Sequence, residues 1–128
     1  MTRLLTTAGL VVLGLLVAAC SGTTTAAPTP PASIAPDALQ ISSKDLKFST
    51  DRLEAEAGTV FQIVYENQEG APHNVAIYTD EAASTKILAE EPFAGPKTVV
   101  YAVPALDPGT YFFRCDLHTN MKGTLEVS

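Results

Sequence analysis

The 128-residue chain has no tryptophan, two histidines, two cysteines and two methionines, one of them the initiator. Each scarcity excludes something. Two cysteines cannot build the disulfide framework that staples many small secreted domains. Eight Lys and Arg against 14 Asp and Glu give a formal net charge of −6, and no basic patch for nucleic acid is visible. The same sign disfavours adsorption of the body of the chain to anionic lipid. It leaves room for a positively charged protein partner.

What is present begins with MTRLLTTAGLVVLGLLVAAC. Arg3 is a short positive start, and Leu4 to Ala19 is largely apolar. That run is short for a membrane-spanning helix, which needs about 20 apolar residues. It suits the h-region of a secretory signal ending in small residues. The close, Val17-Ala18-Ala19-Cys20, resembles a bacterial lipobox, so residues 1–19 read as a lipoprotein signal peptide and Cys20 as the lipidated first mature residue. The expected location is extracytoplasmic, lipid-anchored to the membrane. Residues 20–36 continue in Thr, Ala, Pro and Ser with almost no apolar bulk. Such a stretch cannot offset its ordering entropy by burial, and reads as a flexible tether. If Cys20 carries lipid, Cys115 has no disulfide partner in a compartment that oxidises thiols, and an unpaired cysteine there needs a reason.

Residues 37–128 form one small domain. Short segments rich in Val, Ile, Tyr, Phe and Thr recur between turn residues: ALQISS, DLKFST, TVFQIVYEN (59–67), NVAIYT (74–79), KTVVYAV (97–103), TYFFRC (110–115) and GTLEV (123–127). Turn signals fall at Ala57-Gly58, Glu69-Gly70, Gly95-Pro96 and Asp107-Pro108-Gly109. Only DEAASTKILAEE (80–91) has room for a helix. The expected fold is all-β, an antiparallel Greek-key sandwich.

The rare residues cluster. In TYFFRCDLHTNMKG, Cys115, His118 and Met121 stand three apart between two expected strands, and the other histidine, His73, opens another strand in APHNV. Taken singly each has an ordinary structural use; a buried cysteine is often a small hydrophobe. Together they supply one thiolate, two imidazoles and one thioether. Two His and one Cys in a trigonal plane with a weak axial Met is the blue-copper electron-transfer arrangement. Cys115 is then unpaired because its partner is a metal.

On these residues the domain resembles the small cupredoxins, the plastocyanin, amicyanin and pseudoazurin family. The segment GTYFFRCDLHTNMKGTLEV resembles the family's C-terminal ligand loop with its flanking strands, and the Cys-x2-His-x2-Met spacing that of the amicyanin and pseudoazurin branch. The resemblance implies a sandwich of about eight strands with one mononuclear type 1 copper near one end, held by His73, Cys115, His118 and Met121. It implies that Asn74 helps hold the ligand loop from outside the ligand set. It also implies that electrons pass through the exposed edge of His118, and Pro72, Phe93 and Ala94 are candidates for the surrounding apolar surface. Tyr111 sits where Greek-key proteins place a corner tyrosine. Two departures are visible: Leu117 and Thr119 flank His118 where many members have a proline, and Asp116 puts a carboxylate beside the thiolate.

The expected function is single-electron transfer between extracytoplasmic redox proteins, such as a cytochrome or a membrane oxidoreductase, by a monomer tethered through Cys20. Copper handling, as a chaperone or store, would use the same ligands, but the chain lacks the Met-rich or His-rich tail that would favour it. An enzyme is not expected: both histidines are already used, and a Cys115–His118 dyad has no third orienting group. Zinc suits Cys and His ligands, yet copper binds such sites more tightly at equal supply.

Overall fold

A computed structural model describes residues 33–128. The expected signal peptide, Cys20 and the linker up to residue 32 lie outside the described residues. At the end of the expected linker, Ala35 N–H donates to Gln62 Oε1 (2.7 Å), and Gln62 Nε2 donates to the Ser33 carbonyl (3.3 Å).

Nine strands follow, in two sheets: β1 Leu39–Lys44, β2 Lys47–Phe48, β3 Arg52–Ala55, β4 Phe61–Asn67, β5 Ala76–Tyr78, β6 Lys86–Leu88, β7 Lys97–Val103, β8 Gly109–Arg114 and β9 Lys122–Val127. One sheet runs β2-β1-β4-β7, the other β3-β9-β8-β5-β6. Alternation along each strand decides which residues enter the space between them. Ile41 and Ser43 of β1, Ile63, Tyr65 and Asn67 of β4, Phe113 of β8, and Leu125 and Val127 of β9 are all buried. Tyr65 lies at the centre, with its ring centroid 5.5 Å from that of Phe93, 6.0 Å from Tyr101 and 6.3 Å from Phe48.

The sandwich is not purely antiparallel, as the sequence suggested. β1 pairs with β4, and β3 with β9, in parallel. The chain crosses to the opposite sheet after β2 and again after β3, so β4 returns beside β1 in the same direction. The second crossing is held by Ala57 N–H on the Ser128 carbonyl (3.0 Å) and Gly58 N–H on the Leu106 carbonyl (2.9 Å), with Gly58 at φ +71°. β3 was not legible as a strand because it is a four-residue edge with only Leu53 fully buried. Residues 80–91 form no helix. Asp80 Oδ1 accepts from Ser84 N–H (3.2 Å) and Oγ (3.0 Å), a local turn that competes with helical bonding, and Lys86–Leu88 instead pairs with β5 as an edge strand. Tyr111 does make a corner: its hydroxyl donates to the Asp107 carbonyl at 3.0 Å.

The β1–β2 hairpin turns through two residues, Asp45 at φ 53° and Leu46 at φ 56°. Two left-handed residues suit a two-residue hairpin, but Asp-Gly is the usual pair. A leucine in that conformation costs about 1–2 kcal/mol.

Phe113 is fully buried, packs against Phe48, and lies on the strand that delivers Cys115. Phe113→Ala is expected to lower unfolding stability by about 3–5 kcal/mol, read by urea denaturation. A loss below about 1 kcal/mol would show that this wall of the core is not packed as described.

Candidate metal centre

The site is built where three segments meet at one end of the sandwich. β8 runs directly into Cys115, and the chain then curls through residues 116–121 before β9. The curl is closed by backbone bonds: Cys115 N–H donates to the Met121 carbonyl and Met121 N–H to the His118 carbonyl, both at 2.9 Å. From the other side, His73 exchanges backbone bonds with Phe93 (3.1 and 3.0 Å), an isolated bridge just ahead of β5.

These anchors bring three of the four expected ligands together. Cys115 Sγ lies 3.7 Å from Nδ1 of His73 and 3.7 Å from Nδ1 of His118. The donor atoms of the three residues all fall within 4.8 Å of one another. A sulfur and a nitrogen bound to one ion at about 2.3 and 2.0 Å, and separated by a wide angle, stand roughly 3.7 Å apart. The two rings meet at 4.6 Å between centroids. Cys115 and His73 are fully buried, while His118 keeps part of its ring in solvent. Met121, the fourth expected ligand, is 1% exposed at the closing end of the loop. Among the described residues Cys115 is in no disulfide. Thiolate, two imidazoles and a buried thioether fit one type 1 copper.

The sequence reading missed how His73 is held. Its Nε2 lies 2.8 Å from Oε1 of Glu69, so Nδ1 faces the thiolate and Nε2–H points at a carboxylate. Such a carboxylate–histidine pair fixes the tautomer and ring orientation and raises ligand basicity. Leu46 N–H donates to the same Glu69 oxygen at 3.0 Å. That bond first, and the His73 ring and Asp45 N–H after it, outweigh desolvation and hold the Glu69 carboxyl below its ordinary range. Behind this pair sits a buried polar chain. Asn67 Oδ1 accepts from Glu69 N–H (3.0 Å) and Ser43 Oγ (3.2 Å), and its amide donates to the carbonyls of Ala71 (2.8 Å) and Phe93 (2.7 Å). Ser43 Oγ shares a 2.7 Å bond with the Tyr65 hydroxyl, whose pKa burial pushes up to about 12, so the phenol stays neutral. Gly95 completes the support: its N–H donates to the Glu69 carbonyl at 2.8 Å, and a Cβ there would collide with the carbonyl of Asn67. No sequence signal marked this arrangement, because its partners meet only in the folded sandwich.

Asn74 links the two ligand segments. Its Oδ1 accepts Asp116 N–H (2.9 Å), and its Nδ2 donates to the Glu90 carbonyl (2.9 Å) and Asp116 Oδ2 (3.3 Å). Tyr78 OH donates to Asp116 Oδ1 at 2.6 Å, and Arg114 Nε reaches the same oxygen at 3.5 Å. The carboxylate beside the thiolate is therefore engaged by three donors. Burial alone would raise the Asp116 pKa, but Tyr78, Asn74, the Lys86 charge and Arg114 together hold it below its ordinary value of 3.8. A carboxyl whose folded pKa is depressed contributes stability above its unfolded pKa, and that contribution disappears as pH falls through the folded value. Asp116→Asn is thus expected to unfold at lower temperature than the parent near pH 7, with the gap closing as pH drops below 3.8. A gap constant with pH would contradict this ionised, hydrogen-bonded role.

Of the residues considered for an apolar surface near His118, Phe93 is half-buried against His73, while Pro72 and Ala94 are exposed. The larger exposed apolar side chains at this end are Leu117 (54%) and Leu46 (44%).

Fold and site together define a Greek-key sandwich metalloprotein with a single Cys/His centre at one end. Residues 10–127 match the Cupredoxin-like domain family. The chain belongs to the cupredoxin-like family. Reduced auracyanin from Roseiflexus castenholzii superposes with a TM-score of 0.65 at 19% identity, over 75% of this chain and 99% of that one. Auracyanin A, a "blue" copper protein from Chloroflexus aurantiacus, gives 0.62 at 23% identity, over 71% and 98%. A reduced variant of amicyanin gives 0.57 at 25% identity, over 76% and 88%. Comparison with curated protein sequences finds no significant match.

Proposed function

We propose that the protein carries single electrons outside the cytoplasm through one type 1 copper held by His73, Cys115, His118 and Met121. The observation that carries this reading is the buried Cys115 sulfur placed 3.7 Å from one nitrogen of each of the chain's two histidines. Bound copper supplies a one-electron couple between Cu(II) and Cu(I). The residues supply a frame that does not rearrange between them. Cys115 and Met121 close one backbone-bonded loop, His73 is locked by Glu69 and by its bridge to Phe93, and Asn74 ties the two halves together. Held donors keep reorganisation small, which favours fast transfer. The part-exposed His118, beside the exposed Leu117, is the exit to a redox protein docking there. A small, transient contact of this kind suits a shuttle. Lipid on Cys20 and the tether that follows would keep the domain near membrane-bound partners and raise its effective concentration.

Copper handling would use the same ligands, and retention of the metal separates the two. A carrier keeps its copper through repeated reduction and reoxidation in the presence of a competing Cu(I) chelator. A protein that surrenders copper on the first reduction delivers metal, and the electron-transfer reading fails. Met121→Gln is expected to keep copper while shifting the reduction potential, read by voltammetry; an unchanged potential would count against Met121 as axial ligand.

A further inference from the structure

The Asp45–Leu46 turn joins both halves of the centre without contributing a ligand. Leu46 N–H donates to Glu69 Oε1 at 3.0 Å, the oxygen that also faces His73 Nε2. The Leu46 carbonyl accepts from Asn120 Nδ2 at 3.2 Å, and Asn120 stands between His118 and Met121 in the ligand loop. One residue therefore touches the segment that orients His73 and the loop that carries the other three ligands. It does so in a left-handed conformation, φ 56°, that leucine rarely adopts, with its side chain 44% exposed. Backbone held in such a region persists where the surroundings over-determine it, and it clusters at functional sites.

We infer that the Leu46 peptide is a positioning element of the metal centre, clasping Glu69 and hence His73 on one side and the His118–Met121 loop on the other. The left-handed conformation is what lets the N–H and the carbonyl of one residue reach opposite segments. The role belongs to the backbone, so it survives a change of side chain that keeps this geometry and fails when either bond is lost. This inference rests on the proposed ligand set, but the clasp itself exists without metal.

The test is the exchange rate of the His73 Nε2–H proton, followed by 1H–15N NMR in the metal-free and Cu(I)-loaded protein, together with the reduction potential. Leu46→Asn tolerates positive φ and keeps both peptide groups, so it should retain the parent's slow exchange and potential. Asn120→Ala, a change at an exposed position, should speed the exchange at least tenfold and move the potential. Lengthening the turn by one glycine after Asp45 should do the same while the fold, read by circular dichroism, stays intact. Parent-like exchange and potential in both Asn120→Ala and the lengthened turn would overturn the inference, leaving the turn a plain hairpin connection. If the protein forms no copper–thiolate band at all, the proposed function fails, and exchange in the metal-free protein still decides the clasp.

Discussion

Cys115→Ser is expected to abolish the intense visible band of the copper-loaded protein while leaving the fold in place. The band requires charge transfer from a thiolate, and serine offers a hydroxyl that stays protonated at neutral pH and binds soft copper poorly. The replacement is nearly isosteric and the site is fully buried, so the surrounding packing changes little. Titration of parent and variant with Cu(II), followed by absorbance, checks it. The circular dichroism of the two should superimpose. A serine variant that stays blue would remove Cys115 from the ligand set.

The second large effect falls on a residue that binds no metal. Glu69→Ala deprives the His73 ring of its carboxylate partner and leaves Leu46 N–H without its acceptor. Loss of such an outer partner typically costs about 10–100-fold in metal affinity. Competition with a chelator of known strength should place the variant in that range, with Glu69→Gln between it and the parent because an amide oxygen can still accept. The direction follows from charge. The carboxylate stabilises the positive charge that the imidazole acquires on coordination, and removing it weakens binding most for Cu(II). An affinity equal to the parent's would mean that the 2.8 Å pair is incidental.

The two effects differ in how visible they were in the sequence. Cys115, His118 and Met121 lie within seven residues and are made of types the chain otherwise avoids, so their chemistry and spacing stood out. β4, β7, β8 and β9 were legible for a different reason: each is a run of six or seven residues rich in β-branched and aromatic side chains, bounded by turn residues. Glu69 and Leu46 were not legible. Their partners lie in segments brought together only by the sandwich, and a glutamate or a leucine carries no signal of its own in an acidic, apolar chain. The parallel pairing of β1 with β4 and of β3 with β9 was hidden too, since strand periodicity carries no direction. Residues 80–91 were left open because their composition tolerates a helix, while the deciding contacts are the Asp80 turn and an edge of the sheet already built by β5.

The site's design separates roles along the chain. The strands supply rigidity through a core centred on Tyr65, Phe113 and Leu125. The polar chain from Tyr65 through Ser43 and Asn67 to Glu69 carries that rigidity to His73. Asn74 carries it across to the residue after Cys115. Of the four proposed ligands only His118 reaches solvent in part, while His73, Cys115 and Met121 are buried.

The most direct test of the account is spectroscopic. The protein is mixed with one equivalent of Cu(II), its visible and EPR spectra are recorded, and it is then reduced and reoxidised. An intense blue or green band that bleaches on reduction and returns on oxidation, with narrow copper hyperfine splitting, is the predicted result. A colourless protein, or one that binds copper without the sulfur band, would contradict the central claim that Cys115, His73 and His118 form a type 1 electron-transfer site.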